Sequence, residues 1–451
     1  MLRFYPMFVN KSQNMNKTKE KNITINIIAH DGIISLYTGV GRVVMDSIAV
    51  LSRSKNFDFK YKVNAITGAY TEDCLGYNKD VEKLNYALIK KTGGKIYKCI
   101  NTTSGNVSYG TPQHWVASSV SAATIIKKIS SENSLTISLC FDTPFALVPK
   151  YFSQYQDENN IFVWIPHSTG KLHKTDSAVT TSESYTNIRI QWEQDSIDYI
   201  NSSKRSFVGY IGEYMKHHLI KDYRANKNKL IDFTNGLDTE NKKFKGKLTQ
   251  EQIKLVLDEN KIPTNVPLLL SFGRLEPYKG FDRAIKIGGR LAKKGYKTLI
   301  LSQPYSPNDP LIDEYKNLMK KYNPDGIFLY ENFSFDLPHV LMQWHNTKVL
   351  LIPSKVEPFG LIPEEARLYK NPEMRITVSQ VDGLTEQIND GSDGFLADFA
   401  NTTKASQKLL AILNLDEASL SKVVEKGYER AMNNYNLQKN LSNSISQLIT
   451  I

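Results

Sequence analysis

The sequence predicts an α/β protein built from two doubly wound, parallel-sheet domains that face each other across a cleft. Three observations predict it. Short apolar runs alternate with helical patterns through the chain, the βαβ signature of parallel sheet. The alternation breaks at a polar, lysine-rich stretch, 241–247, and then restarts. Several of the apolar runs also end in glycine-bearing loops, and open α/β sheets bind ligands at the carboxyl ends of their strands.

Residues 23–29 alternate and then run apolar into His30-Asp31-Gly32, as a first strand ending in a loop does. Thr38-Gly-Val-Gly-Arg42 follows, and then a helical pattern over 43–52. Strand, glycine loop and helix form the unit that cradles a phosphate or lets a ligand near the backbone. Gly39 and Gly41 lack the third glycine of a dinucleotide fingerprint, so an ordinary tight turn stays open as a reading. Further strands are expected at 59–66, 95–100 and 135–141, with helices near 80–91 and 117–130. The run Ile161-Phe-Val-Trp-Ile165 is another strand and ends in Pro166-His167-Ser168. A helix at 184–200 and apolar-patterned segments at 206–208, 212–221 and 230–233 complete the first half.

After the hinge, Thr249 with Glu251 and Gln252 behind it opens a short helix over 249–260. Strands are expected at 268–272, 297–301, 327–329, 348–352 and 375–378, and helices at 281–294, 311–321, 337–345 and 404–413. The domains follow from this: a flexible leader at 1–22, a first domain at 23–245, a second at 246–432, and a terminal helix at 433–451 packing back on the first domain.

Bulk properties narrow the classes. At 451 residues the chain exceeds one ordinary core. With 41% apolar and 23% charged residues it is ordinary globular, which excludes large-scale disorder. The net charge of +11 asks for an anionic partner, although many cytoplasmic enzymes carry such a charge without one. The basic segment 204–229 reads either as a solvated face or as a peripheral contact with an anionic membrane surface. Cys74, Cys99 and Cys140 have no CxxC spacing, so neither a disulfide framework nor a zinc site is expected, and a reducing cytoplasm fits. No apolar run is long enough to span a membrane.

Chemistry concentrates in the second half. The run Val349-Leu350-Leu351-Ile352 reads as a buried parallel strand, and beyond it lie Glu357 and Glu365 with seven residues between them. Pro358 keeps Glu357 out of the helical region, so that carboxylate sits on an extended loop. Gly360 lets the backbone approach a ligand, and Pro363 suits a first helical turn, which places Glu365 there. Upstream, Gly273-Arg274 and Lys279-Gly280 follow a strand and precede a helix. A forked donor and a point charge five residues apart suit a diphosphate, while a surface Arg/Lys pair is the plainer alternative.

These motifs together resemble glycosyltransferase family 4. The resemblance rests on Ser271-Phe-Gly-Arg-Leu275, Lys279-Gly280, Glu357-Pro-Phe-Gly-Leu-Ile-Pro-Glu-Glu-Ala366, Val381-Asp-Gly-Leu-Thr-Glu386, Asp390-Gly391 and Gly394-Phe395, in order across about residues 266–400. Asn235-Gly-Leu-Asp238 is similar to the segment that closes the family's first domain. It implies the GT-B fold, two Rossmann-like domains, and a retaining hexosyltransferase that uses a nucleoside diphosphate sugar, UDP first, as co-substrate, with no cofactor and no metal. It implies that Arg274 and Lys279 hold the diphosphate, that Glu357 binds the donor sugar near the Phe359, Gly360 and Leu361 amides, and that Glu365 meets the ribose hydroxyls. His167 would lie beside the donor sugar and acceptor, and Gly39 and Gly41 near the diphosphate from the opposite wall; Asn235 reads as structural. The implied partners are a nucleotide sugar and an unidentified hydroxyl acceptor, without nucleic acid, at a cytoplasmic location that includes the inner membrane face.

The sequence departs from the family pattern at Asp382-Gly383, where two glycines are usual, and at Lys370-Asn-Pro-Glu-Met-Arg375, where a Gly-x-Pro-Val turn is usual. The loop from His30 to Gly41 is also no close copy. On the residues alone, Glu357 and Glu365 also fit the acid and base of a glycosidase. A non-catalytic GT-B scaffold on an anionic surface and a sugar phosphorylase are the other two alternatives.

Overall fold

The structure, a computed structural model, describes residues 22–36, 38–53, 59–72, 74, 76–100, 111–131, 134–174, 183–304, 306–329 and 336–451. The expected leader lies outside these residues apart from Asn22, which starts the first strand.

Seven strands make the first sheet: β1 (Asn22–Ile28), β2 (Tyr61–Gly68), β3 (Ile96–Cys99), β4 (Ser134–Phe141), β5 (Asn160–Ile165), β6 (Ser206–Tyr210) and β7 (Leu230–Asp232). Six make the second: β8 (Leu268–Arg274), β9 (Lys297–Gln303), β10 (Ile327–Leu329), β11 (Thr347–Ile352), β12 (Arg375–Ser379) and β13 (Phe395–Ala397). Their orders are β3-β2-β1-β4-β5-β6-β7 and β10-β9-β8-β11-β12-β13, and neighbouring strands pair in parallel. In each sheet the order reverses beside its first strand, between β1 and β4 and between β8 and β11. Connections there leave to opposite faces and open a crevice at the carboxyl ends.

The central strands are largely apolar because helices cover both faces; in β1 four of the seven residues are Ile, six are buried, and only Asn22 is exposed. Three buried polar side chains on these strands pair with one another across the sheet. Asn64 Nδ2 donates to Asn26 Oδ1 at 3.0 Å, and Asn26 Nδ2 donates to Ser138 Oγ at 3.1 Å, so a hydrogen-bonded line crosses β2, β1 and β4.

The helix Pro112–Ile129 begins before the pattern at 117–130 indicates, because Pro112 suits the first turn and Trp115 is buried beneath it. The strand β13 and the helix Leu384–Gln387 lie in a stretch that reads as loop; three and four residues are too few to show a period.

Two chain segments connect the domains. Leu237 N donates to Tyr435 O at 2.8 Å, and Leu437 N donates to Leu237 O at 3.0 Å, so the outgoing and returning chains run side by side. The final helix, Leu437–Ile449, then places Leu441, Ile445 and Leu448 in the first domain's core. Among the described residues no helix is long and apolar enough to cross a membrane. In the basic segment, His218 is buried between Thr169 and Asp222, and Lys229 turns inward to the Ser203 carbonyl, so these two do not belong to an outward basic face.

Candidate functional site

The second domain brings its four predicted polar residues to the carboxyl ends of β8 and β11. The Lys279 ammonium lies 2.5 Å from Glu357 Oε2, and both side chains are largely buried. Burial alone would lower the Lys279 pKa, but the Glu357 carboxylate and then Tyr278 outweigh it and raise it. Arg274 donates to the Tyr278 hydroxyl at 2.7 Å and lies 3.9 Å from Glu276. The 3-10 turn Pro277–Lys279 sets this spacing, and Gly280 ends it at φ +72°, with Pro353 O so near that a Cβ would sit 2.1 Å from it.

The loop after β11 is held from behind. Gln387 Nε2 donates to the carbonyls of Phe359 at 2.6 Å and Gly360 at 3.1 Å. Because peptide units are planar and trans, the Gly360 and Leu361 N–H groups then point away from Gln387. Gly360 has φ +86°, and a side chain there would press on Leu384 at 3.0 Å and on the Glu357 stem at 3.1 Å. Phe359 is buried against Tyr435, with ring centroids 5.6 Å apart, and so anchors the loop instead of lining a pocket with its ring. Glu365 lies in the first turn of the helix Ile362–Leu368 and meets two cations, Arg42 at 3.5 Å and Lys243 at 3.4 Å.

The first domain supplies the facing wall. His167 follows β5 with its Nδ1 3.3 Å from Ile165 O, and its ring packs 5.8 Å from Phe141. Asn235, read from sequence as structural, sits against the same ring. Burial lowers the His167 pKa, and Asp142 opposes it. Asp142 follows β4 and was not singled out by the sequence. Its Oδ1 is buried with no hydrogen-bond partner among the described residues, and its φ of +62° is left-handed. Such strain in a non-glycine residue concentrates at working sites. The signal that marks it is positional: like His167, it is the first polar residue after a buried strand.

A carboxylate steadies this wall. Buried Glu193 accepts from Arg189 at 2.7 Å, Gly170 N at 2.8 Å, Thr143 Oγ1 at 3.0 Å and the Tyr223 hydroxyl at 2.5 Å, tying the His167 loop to the Asp142 turn. His173 reaches across, its ring 6.3 Å from Tyr278 of the second domain. Burial first, then Arg189 and Arg274, holds its pKa down to about 4, so it is neutral at ordinary pH.

Gly39 and Gly41 differ from each other. Gly39 opens the helix Gly39–Arg53 with nothing near its would-be Cβ. Gly41 is packed on Asp31, whose Oδ2 would lie 2.2 Å from a Cβ, and its N–H donates to Thr38 Oγ1 at 3.0 Å. Asp31 in turn accepts from the Thr38 N–H at 2.8 Å and its hydroxyl at 2.6 Å. Close packing inside the loop therefore explains Gly41.

Among the described residues no group of three or more His, Cys, Asp or Glu is placed to hold a metal. The arrangement instead offers cations for a polyanion on one wall and, on the other, neutral histidines beside a carboxylate.

Residues 252–430 match the family model described as glycosyl transferases group 1. Among curated proteins, a glycogen synthase of Thermus thermophilus is 27% identical over 130 residues, which is 29% of this chain and 28% of that one. An uncharacterized 41.2 kDa protein in the cps region of Klebsiella pneumoniae is 24% identical over 216 residues, 48% of this chain and 54% of that one. The chain thus aligns with roughly a quarter to a half of the length of these relatives. Among solved structures, the sucrose-phosphate synthase of Thermosynechococcus elongatus superposes with a TM-score of 0.71 at 14% identity, covering 95% of this chain and 99% of that one. Anabaena Alr3699/HepE, in complex with UDP and glucose, gives 0.68 at 13% identity over 95% and 100%. The catalytic domain of starch synthase IV from Arabidopsis thaliana, bound to ADP and acarbose, gives 0.66 at 16% identity over 95% and 99%. At these identities the likeness is one of fold, and the fold is GT-B.

Proposed function

We propose that this chain, whose residues 252–430 belong to the glycosyl transferases group 1 family, moves a hexose from a nucleoside diphosphate sugar to a hydroxyl acceptor with retention of configuration. The observation that carries this is the buried Lys279–Glu357 pair at 2.5 Å, beside Arg274, at the switch point of the second sheet. Lys279 and Arg274 hold the diphosphate and stabilise the charge it gains on leaving, in the role a divalent cation plays elsewhere, so that neither metal nor cofactor is needed. Glu357 and the Gly360 and Leu361 amides take the sugar hydroxyls. Glu365 takes the ribose hydroxyls, exchanging them for one of its cations.

In the transfer step the bond between the anomeric carbon and the diphosphate oxygen breaks. The acceptor oxygen bonds to that carbon on the same face and passes its proton to the departing diphosphate. His167 and Asp142 lie on the acceptor side, and closure of the cleft excludes the water that would otherwise hydrolyse the donor. UDP is the first nucleotide to test, since HepE holds UDP with glucose, and ADP the second, since starch synthase IV holds ADP.

The test is nucleoside diphosphate release from a panel of nucleotide sugars with sugar and lipid-linked acceptors. Lys279→Ala and Glu357→Ala are each expected to lower turnover by about 100-fold or more, the usual cost of losing one transition-state contact. Near-normal rates in both variants, or no nucleotide binding by the native protein, would reject the assignment.

A further inference from the structure

Asp382 stands where the family resemblance leads one to expect glycine. Its backbone keeps a glycine-like conformation, φ +42°, which strains a side-chain-bearing residue. The carboxylate offers what glycine lacks. Its Oδ2 accepts from the Glu357 N–H at 2.9 Å, while the neighbouring Gly383 N–H donates to the Glu357 carbonyl at 3.1 Å. The peptide groups on both sides of the Glu357 Cα are therefore clipped to the loop 381–386.

The same carboxylate faces the Tyr214 phenol, whose pKa burial and then Asp382 raise, and Tyr214 belongs to the first domain. Its backbone N–H donates to Glu386 Oε2 at 2.7 Å. The approach is close: a Cβ on Gly212 would lie 2.2 Å from Glu386 Oε1. The start of the first-domain helix Glu213–Tyr223 thus rests on the loop that fixes Glu357, and Glu357 in turn holds Lys279.

We infer that Asp382 is a positioning residue which carries the placement of the first domain, through Tyr214, to Glu357, and so sets where Glu357 meets the donor sugar. This rests on the donor-site reading above and adds to it a link between domain closure and sugar recognition. The nucleotide itself is held by other groups, so the link acts on the sugar end of the donor.

Asp382→Gly, Asp382→Asn and Tyr214→Phe are compared by three measurements. These are hydrogen exchange at the Glu357 amide, binding of the nucleoside diphosphate alone, and kcat and KM with the sugar nucleotide. In Asp382→Gly, which tolerates the backbone turn, exchange is expected to rise and kcat/KM to fall by about tenfold, the scale of one such hydrogen bond. Diphosphate affinity is expected to stay within about twofold, because Arg274, Lys279 and Glu365 are untouched. Asp382→Asn keeps an acceptor for the Glu357 N–H and restores most of the loss. Tyr214→Phe keeps the clip and the backbone contact with Glu386 but loses the phenol facing Asp382, so it lowers kcat/KM without faster exchange at Glu357. Unchanged exchange or unchanged kcat/KM in Asp382→Gly overturns the inference, as does an equal loss of diphosphate and sugar-nucleotide binding. If the native protein binds no nucleotide, the donor reading fails on its own, and the exchange result still decides whether Asp382 holds Glu357.

Discussion

His167 and Asp142 occupy equivalent positions on adjacent strands, each the first polar side chain beyond a buried run. The histidine is legible in the sequence through the family resemblance, since an imidazole at a strand end is by itself more often structural. The aspartate is not, because Phe-Asp-Thr-Pro reads as an ordinary turn; its left-handed backbone and unpaired oxygen exist only in three dimensions. Glu357 and Lys279 were both legible, but their pairing at 2.5 Å was not, since 78 residues separate them. The histidine makes a pH prediction. Burial lowers the His167 pKa from 6.5, and Asp142 is the largest influence pulling it back up. His167 is thus neutral through the neutral range, and an acid limb in kcat/KM arising from it lies below pH 6.5. Asp142→Asn removes the upward pull and shifts the titration further down, which NMR titration of the His167 ring measures. A ring that titrates at or above 6.5, or that ignores Asp142→Asn, contradicts this account of the wall.

At the scale of elements, strands flanked by helices on both faces announce themselves as apolar runs, which is why both sheets were readable as parallel. What stayed hidden were elements whose length or burial depends on a distant partner. The strand β13 is three residues long and exists because β12 offers it a ladder. The final helix is expected at 433–451, but the residues of the first domain's core that it meets show in no local period. Its buried face predicts its own importance. Ile445 is fully buried, and Leu441 and Leu448 beside it join the core around β1. Ile445→Ala is expected to destabilise the first domain by about 2–5 kcal/mol, transfer and cavity terms together. Denaturation followed by a first-domain signal checks it. A loss under about 1 kcal/mol would mean that the site collapses around the gap or that the helix is dispensable.

Across the whole molecule, charge gathers where the two domains meet at the hinge. Arg42 of the first domain lies 3.5 Å from Glu365 of the second, and 3.8 Å from Asp46 one turn along its own helix. Arg53, on the same helix, pairs at 2.5 Å with Asp238, which belongs to the crossing segment. Lys243 approaches Glu365 from the linker. Asp46 is thus faced by Arg42 and Arg53 from its own helix, Asp238 from the crossing chain and Glu365 from the opposite domain. Burial dominates this setting and raises the Asp46 pKa from 3.8 to about 7, with Asp238 and Glu365 adding to the rise and the two arginines opposing it. The consequence for stability has a definite sign. Between pH 3.8 and about 7 the unfolded chain has released this proton and the folded chain still holds it, so folding weakens as pH rises through that window and levels off above it. Asp46→Asn keeps the shape and removes the titration. Its melting temperature relative to the native chain is therefore expected to rise from pH 4 to pH 7 and to stay level beyond, as measured by thermal melts at constant ionic strength. A difference independent of pH would show that Asp46 is ionised in the fold and that the arginines, not burial, govern the hinge. A difference that falls with pH would reverse the sign and remove the basis for a neutral carboxyl at the hinge.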